Sequence, residues 1–167
     1  NLKQQFPDIV YICIGYGDEE ENIKNLVKEL DLDSQVMFFK DISLDLKNSL
    51  IAKSDIFVMP SIIYKKSVEG FGIAYIEAAQ HGIPSLGGKD GGASDAIIHE
   101  KTGLICDGNE LDDIYSSLNS MIENKKYQEL GKNAREFVSK FTWEKTLEEY
   151  KKILNWNFFY FFKEFNN

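Results

Sequence analysis

Ile9-Val10-Tyr11-Ile12-Cys13-Ile14-Gly15-Tyr16-Gly17 is an unbroken apolar run that stops at two glycines one residue apart. Six such residues without alternation describe a strand buried on both faces, as the strands of a parallel sheet are. Asp18 follows as an N-cap candidate. Ile23, Leu26, Val27 and Leu30 then recur at helical spacing, with acids in the first turn where the helix dipole favours them. A buried strand, a tight glycine turn and an amphipathic helix make the opening βα unit.

The alternation continues outward from there. Val36 to Phe39 is a second short strand, and Leu46, Leu50 and Ile51 mark a short helix. Asp55 to Met59 is a third strand, stopped by Pro60. A helix from near Gly72 to a left-handed cap at Gly82 leads to a fourth strand, Pro84 to Leu86. Ala93 to Ile98 reads as a brief helix and Leu104 to Cys106 as a fifth strand. Helices over roughly 110–123, 126–139 and 142 onward close the chain, the last capped by Thr142. Strands alternating with helices through short loops predict an α/β fold with one doubly wound parallel sheet. Ligands of such sheets bind at the carboxyl ends of the strands. The loops after Ile14, Phe39, Met59 and Leu86 are therefore where chemistry is expected.

Composition agrees and excludes. The 167 residues fit one domain, with 43% hydrophobic and 28% charged residues, as in a globular protein. A net charge of −8 argues against nucleic acid as a partner. No apolar stretch approaches the length that crosses a bilayer. Cys13 and Cys106 each lie in an apolar run and read as two buried thiols of a reducing compartment, without metal-site spacing. Asn1 opens on polar chain, so the reading expects a piece of a larger protein.

The stretch richest in chemistry is Ser67-Val68-Glu69-Gly70-Phe71-Gly72-Ile73-Ala74-Tyr75-Ile76-Glu77-Ala78-Ala79. Gly70 and Gly72 allow a ligand close to the backbone. The first N–H groups of the helix point into the cleft with the positive end of its dipole behind them, which makes an anion site. Carboxylates at Glu69 and Glu77 would repel a phosphate but accept strong hydrogen bonds from hydroxyls. Phosphate at the helix tip with a polyol on either side describes a nucleotide sugar.

Glu69 and Glu77 form an E-x₇-E pair, and ordered companions surround it. These are Ile14-Gly15-Tyr16-Gly17, Ser54-Asp55 with Pro60-Ser61, Glu69-Gly70-Phe71-Gly72, Glu77-Ala78 with Gly82-Ile83-Pro84, Gly91-Gly92, Gly103-Leu104-Ile105 and Phe141-Thr142-Trp143. From about Ile9 to Leu154 the chain resembles the donor-binding domain of retaining GT-B glycosyltransferases of the glycogen-synthase-like group, often called family 4. The resemblance implies a Rossmann-like half of a GT-B enzyme over residues 1–154, with a separate acceptor domain in cis.

It implies Glu69 on hydroxyls of the transferred sugar near the reaction centre, and Glu77 on the ribose. It also implies backbone amides from Phe71 through Gly72 and Ile73 to Ala74 on the diphosphate, beside Gly70. Lys40 and Asp41 would flank the base, and Gly15 to Gly17 would line the same cleft. No metal or other cofactor is implied, since the nucleotide sugar is a substrate. The expected setting is the cytoplasm, at the inner face of the plasma membrane, in surface polysaccharide or glycolipid synthesis. Lys40 stands where the family often has glycine, and Asp95 where it often has glutamate. The family's basic diphosphate clamp falls before Asn1; Lys65, Lys66 and Lys89 are the nearby bases that could substitute in part.

Each feature has a plainer alternative. Glu69 could be a solvated loop acid and Glu77 an exposed helix residue, but the companion motifs favour the functional reading. Gly15-Tyr16-Gly17 fits a simple tight turn equally well. The glycines from Gly87 to Gly92 read as a mobile ligand loop over a mere connector. His81 and His99 read as structural or exposed rather than catalytic. Trp156 to Phe162 is apolar all round. Residues 155–167 are expected to pack on the acceptor domain, with peripheral membrane contact as the rival. Two rival functions remain open: half of a non-hydrolysing nucleotide-sugar epimerase, or a non-catalytic nucleotide-sugar-binding module.

Overall fold

The computed structural model describes residues 1–154. The aromatic extension expected over 155–167 lies outside the described residues. The elements in order are α1 (Leu2–Gln5), β1 (Tyr11–Ile14), α2 (Glu20–Glu29), β2 (Val36–Phe39), α3 (Leu44–Ala52), β3 (Phe57–Met59) and α4 (Ile73–Gln80). Then come β4 (Ser85–Gly88), α5 (Ala93–Ala96), β5 (Gly103–Cys106), α6 (Leu111–Ile122), α7 (Lys126–Val138) and α8 (Trp143–Ile153), with a 3₁₀ turn at Glu123–Lys125.

Every strand pairing is parallel, as the strand–helix alternation requires. β1 runs beside β2 from Tyr11 opposite Val36 to Ile14 opposite Phe39. β4 lies between β3 and β5, with Phe57 opposite Ser85 and Ser85 opposite Gly103. The parallel α/β class is as expected, but the hydrogen bonding falls into two pieces, β1-β2 and β3-β4-β5.

The three-stranded piece carries the core. β4 is buried throughout, and its alternating residues feed two faces. On one face Tyr75, Ile76 and Ala79 of α4, with Ala93, Ala96 and Ile97, pack over Phe57, Met59 and Ile105. On the other, Leu86, Leu104 and Cys106 meet Met121 of α6 and Leu130 of α7. Ile51 of α3 reaches this assembly through Ala78 and Ile83.

β1 departs from the expectation of burial on both faces. Tyr11 and Ile14 are exposed, and Ile12 and Cys13 only half-buried. Of the apolar stripe on α2 only Val27 is buried, while Ile23, Leu26 and Leu30 are exposed. A ribbon two strands wide covers less of a helix than a full sheet does, and the apolar run alone cannot reveal how wide its sheet is. Cys13 is accordingly not a buried thiol, whereas Cys106 is, and burial pushes its pKa up to about 11.

Smaller differences have local causes. Asp18 does not cap α2, because the Glu20 N–H donates to the Gly17 carbonyl at 3.1 Å and delays the helix. β4 extends through Gly88, taking two glycines from the expected loop. Thr142 caps α8 as expected, its hydroxyl accepting from the Lys145 N–H at 3.3 Å. α8 buries none of its residues and exposes Trp143, Leu147, Tyr150 and Ile153. Among the described residues no helix is long and apolar enough to cross a membrane.

Candidate functional site

α4 begins at an unusual cap. Gly72 has φ 85° and ψ 59°, in the left-handed region, and a β-carbon there would strike the ring of Tyr75. Tyr75 itself is buried, its ring meeting that of Phe57 edge-on at 6.0 Å, and its hydroxyl donates to the Met59 carbonyl at 2.6 Å. Its pKa is raised, chiefly by burial, with the negative charge of Glu69 adding to the effect. The end of β3, the loop bearing Glu69 and the first turn of α4 are thus joined through one tyrosine. Nothing in the spacing of the sequence singled it out.

A second loop clamps the first. The Gly92 N–H donates to the Glu69 carbonyl at 2.8 Å. A β-carbon at Gly91 would strike the Glu69 carbonyl, and one at Gly92 the Gly70 carbonyl. Gly88 similarly passes against the backbone of Ser61. These glycines therefore serve close backbone packing, and the mobile loop expected from Gly87 to Gly92 is replaced by a strand end and a clamp. Beside them Phe71 is half-buried, its ring 5.9 Å from that of Phe141.

The result is a short arc of polar groups. Among the described residues no backbone acceptor takes the N–H groups of Phe71, Gly72, Ile73 and Ala74, which lie at the positive end of α4. Glu69, half-buried, stands just before this turn, and its carboxylate accepts no hydrogen bond among the described residues. Glu77 follows in the second turn of α4 and is engaged. Lys47 of α3 donates to both of its oxygens, at 2.9 and 3.0 Å. Lys47 was missed in the sequence, since only the docking of α3 on α4 brings together residues 30 apart.

Gly15, Gly17, Lys40 and Asp41 form a second group, at the ends of β1 and β2. The Gly15 N–H donates to the Phe39 carbonyl at 3.0 Å, which sets the two loops side by side. Lys40 lies 5.3 Å from the centre of the exposed Tyr16 ring and 3.4 Å from a Glu20 oxygen, and Asp41 has φ 51°. Among the described residues no hydrogen bond or ion pair joins this group to Glu69, Glu77 or the turn between them.

The three lysines weighed as diphosphate substitutes are differently placed. Lys89 is held by Asp107 at 2.5 Å, which raises its pKa and lowers that of Asp107. Lys65 sits at the tip of a small turn, 5.0 Å from the Tyr64 ring, and Lys66 is exposed beside it. His99 is exposed and its Nδ1 accepts from the Ile105 N–H at 2.9 Å, in keeping with the structural-or-exposed reading. A shallow open depression lined by His81, Gly82, Lys132, Arg135 and Glu136 lies at the far end of α4 and contains none of the expected donor residues. Among the described residues no three His, Cys, Asp or Glu side chains gather as a metal site would need.

Residues 1–137 match the family described as glycosyl transferases group 1. An uncharacterized glycosyltransferase of Haemophilus influenzae is 30% identical over 158 residues, covering 92% of this chain and 42% of that protein. A GDP-mannose-dependent alpha-(1-6)-phosphatidylinositol monomannoside mannosyltransferase of Mycolicibacterium smegmatis is 28% identical, over 75% of this chain and 33% of its own. The chain therefore spans less than half the length of these curated relatives. Among solved structures, Anabaena HepE in complex with UDP superposes with a TM-score of 0.69 at 26% identity, over 83% of this chain and 38% of that one. Sucrose-phosphate synthase of Thermosynechococcus elongatus gives 0.75 at 25%, over 90% and 40%. The fold is the Rossmann-like half of a GT-B glycosyltransferase, and the chain belongs to the glycosyl transferases group 1 family.

Proposed function

We propose that this chain is the donor-binding domain of a retaining, family 4-like glycosyltransferase, and that it holds a nucleoside-diphosphate sugar for transfer to an acceptor bound by a separate domain in cis. The carrying observation is the start of α4. Four N–H groups that find no backbone acceptor among the described residues, at a left-handed glycine cap, lie in the stretch of chain between Glu69 and Glu77. An anion belongs at the N–H groups and hydroxyls belong at the carboxylates. HepE, similar in fold, is solved with UDP and with UDP-glucose, and the mycobacterial relative is GDP-mannose-dependent by name. Both support a nucleotide sugar as ligand.

In this reading the diphosphate rests on the amides from Phe71 to Ala74, so that charge building on the leaving nucleotide meets fixed dipoles rather than a metal. Glu77 receives the ribose hydroxyls. Glu69 receives hydroxyls of a hexose-type sugar, close to the bond that breaks. Lys40 and Asp41 flank the base, with Gly15 and Gly17 beside them. The acceptor is a glycan or glycolipid at the cytoplasmic face of the membrane, in surface polysaccharide synthesis, and the chain alone binds donor without turning it over.

Calorimetric titration of UDP, GDP and ADP, with their sugar conjugates, tests the reading. One nucleotide series should bind saturably, and Glu77→Ala should weaken it by about tenfold, the loss of a hydrogen bond to a charged group. Failure of every series, in the chain and in the longer protein, would overturn the donor site.

A further inference from the structure

The Lys47–Glu77 pair is built into the docking of two helices. Ile51 lies one helical turn beyond Lys47 on α3 and packs on Ala78 and Ile83, while Ala78 is the neighbour of Glu77 on α4. The same α3 face thus carries an apolar anchor and an ammonium group. That ammonium spans both carboxylate oxygens, at 2.9 and 3.0 Å, with side chains 29% and 35% exposed.

A pair this accessible contributes little to stability. Its geometry does more for orientation. A carboxylate on the second turn of a helix rotates freely about its last bonds, yet one cation on both oxygens fixes the plane of the group. Each oxygen keeps lone-pair capacity on its other side, and Lys47 has a third N–H to donate. Two acceptors at fixed separation, with a donor beside them, match a vicinal cis-diol, which offers two hydroxyl protons and two oxygen lone pairs.

We infer that Lys47 is a positioning residue that holds the Glu77 carboxylate in the orientation that reads the cis-diol of a ribose, and so sets discrimination between ribo- and deoxyribonucleotides. This rests on the donor-site reading of Glu77 above. It goes further in assigning the selectivity to a residue outside the E-x₇-E stretch. A general attraction of Lys47 for the diphosphate would instead act equally on nucleotides with and without the 2′-hydroxyl.

The test is titration of UDP, GDP and ADP, each beside its 2′-deoxy counterpart, into the wild-type chain and the variants Lys47→Met, Lys47→Leu and Lys47→Arg. Both truncations keep an apolar stem on α3, so either one that folds gives the answer. The wild type should prefer the ribonucleotide by about tenfold. In Lys47→Met or Lys47→Leu that preference should shrink to within about twofold, with deoxynucleotide affinity kept, and Lys47→Arg should restore it. An equal loss on both series, or an unchanged ratio, overturns the role of Lys47 while leaving the donor site standing. If no nucleotide binds the wild type or the longer protein, the donor-site reading falls and the role of Lys47 falls with it.

Discussion

The hydroxyl of Tyr75 reaches back from the first turn of α4 to the carbonyl of Met59, the last residue of β3, and donates to it at 2.6 Å. The chain between these residues carries Glu69, Gly70 and Gly72, so one side chain closes the loop on which the proposed chemistry depends. Tyr75→Phe keeps the ring against Phe57 and deletes only the donor. The part-buried Met59 carbonyl keeps the Ser61 N–H at 2.8 Å, so only one net hydrogen bond is lost and stability should fall by about 0.5–1.5 kcal/mol. Urea denaturation checks this, and a change within error would show that the bond does not hold the loop.

Two left-handed glycines bound α4, and their surroundings differ. At Gly82, φ 77°, the nearest atom to an added β-carbon is Arg135 Cδ at 3.7 Å, an ordinary contact. At Gly72 the Tyr75 ring occupies that space. Gly82→Ala should therefore cost only the left-handed conformation, about 1–2 kcal/mol. Gly72→Ala should cost more, because the ring must also move. Thermal melting of the two variants ranks them, and the reverse order would contradict the packing.

Glu69 and Glu77 are proposed to read different parts of one ligand. Glu69→Ala should leave the affinity for the nucleoside diphosphate within about twofold and lower that for its sugar conjugate by about tenfold. Glu77→Ala should weaken both alike. Parallel titrations of UDP and UDP-glucose, or of the corresponding pair for whichever base binds, separate the two carboxylates.

The Cys106 thiol keeps its proton to about pH 11 in the folded chain, against an ordinary value of 9.0. Between those values the folded state binds the extra proton. Its contribution to stability is thus full below about pH 9 and is lost as the pH rises towards 11. Tyr75, also raised by burial, acts in the same direction. Denaturation midpoints should fall from about pH 8 to about pH 10.5, and fall less in Cys106→Ala, which has no thiol to titrate. An equal fall in both would assign the effect elsewhere.

Much of this was legible in the residues. Among the described residues, pattern and punctuation placed the five strands and every long helix, because Pro60, Gly82 and Thr142 end or begin elements by local stereochemistry that needs no tertiary context. Glu69, Glu77 and the glycines between them could be found for the same reason, lying within a few residues of one another. What escaped notice depends on contact across the fold. The apolar run at Ile9 to Ile14 has the composition of a central strand, and exposure of Tyr11 and Ile14 follows from a pairing with β2 alone that no local pattern encodes. Lys47 drew no notice in the sequence, because only the packing of α3 against α4 brings it to Glu77. Glycine-rich sequence suggested mobility at Gly87 to Gly92, since composition cannot tell a free loop from a backbone pressed against another.

That last distinction bears on how variation in this chain would be interpreted. Gly91 and Gly92 sit more than twenty residues downstream of Glu69, yet a methyl group on Gly91 would push against the Glu69 carbonyl and one on Gly92 against the Gly70 carbonyl. A saturation screen scored on donor capture would mark both as indispensable, and a reader would be tempted to draw them touching the sugar. Their intolerance would instead report the positions of two backbone carbonyls, transmitted as steric pressure along the loop that carries the Glu69 carboxylate.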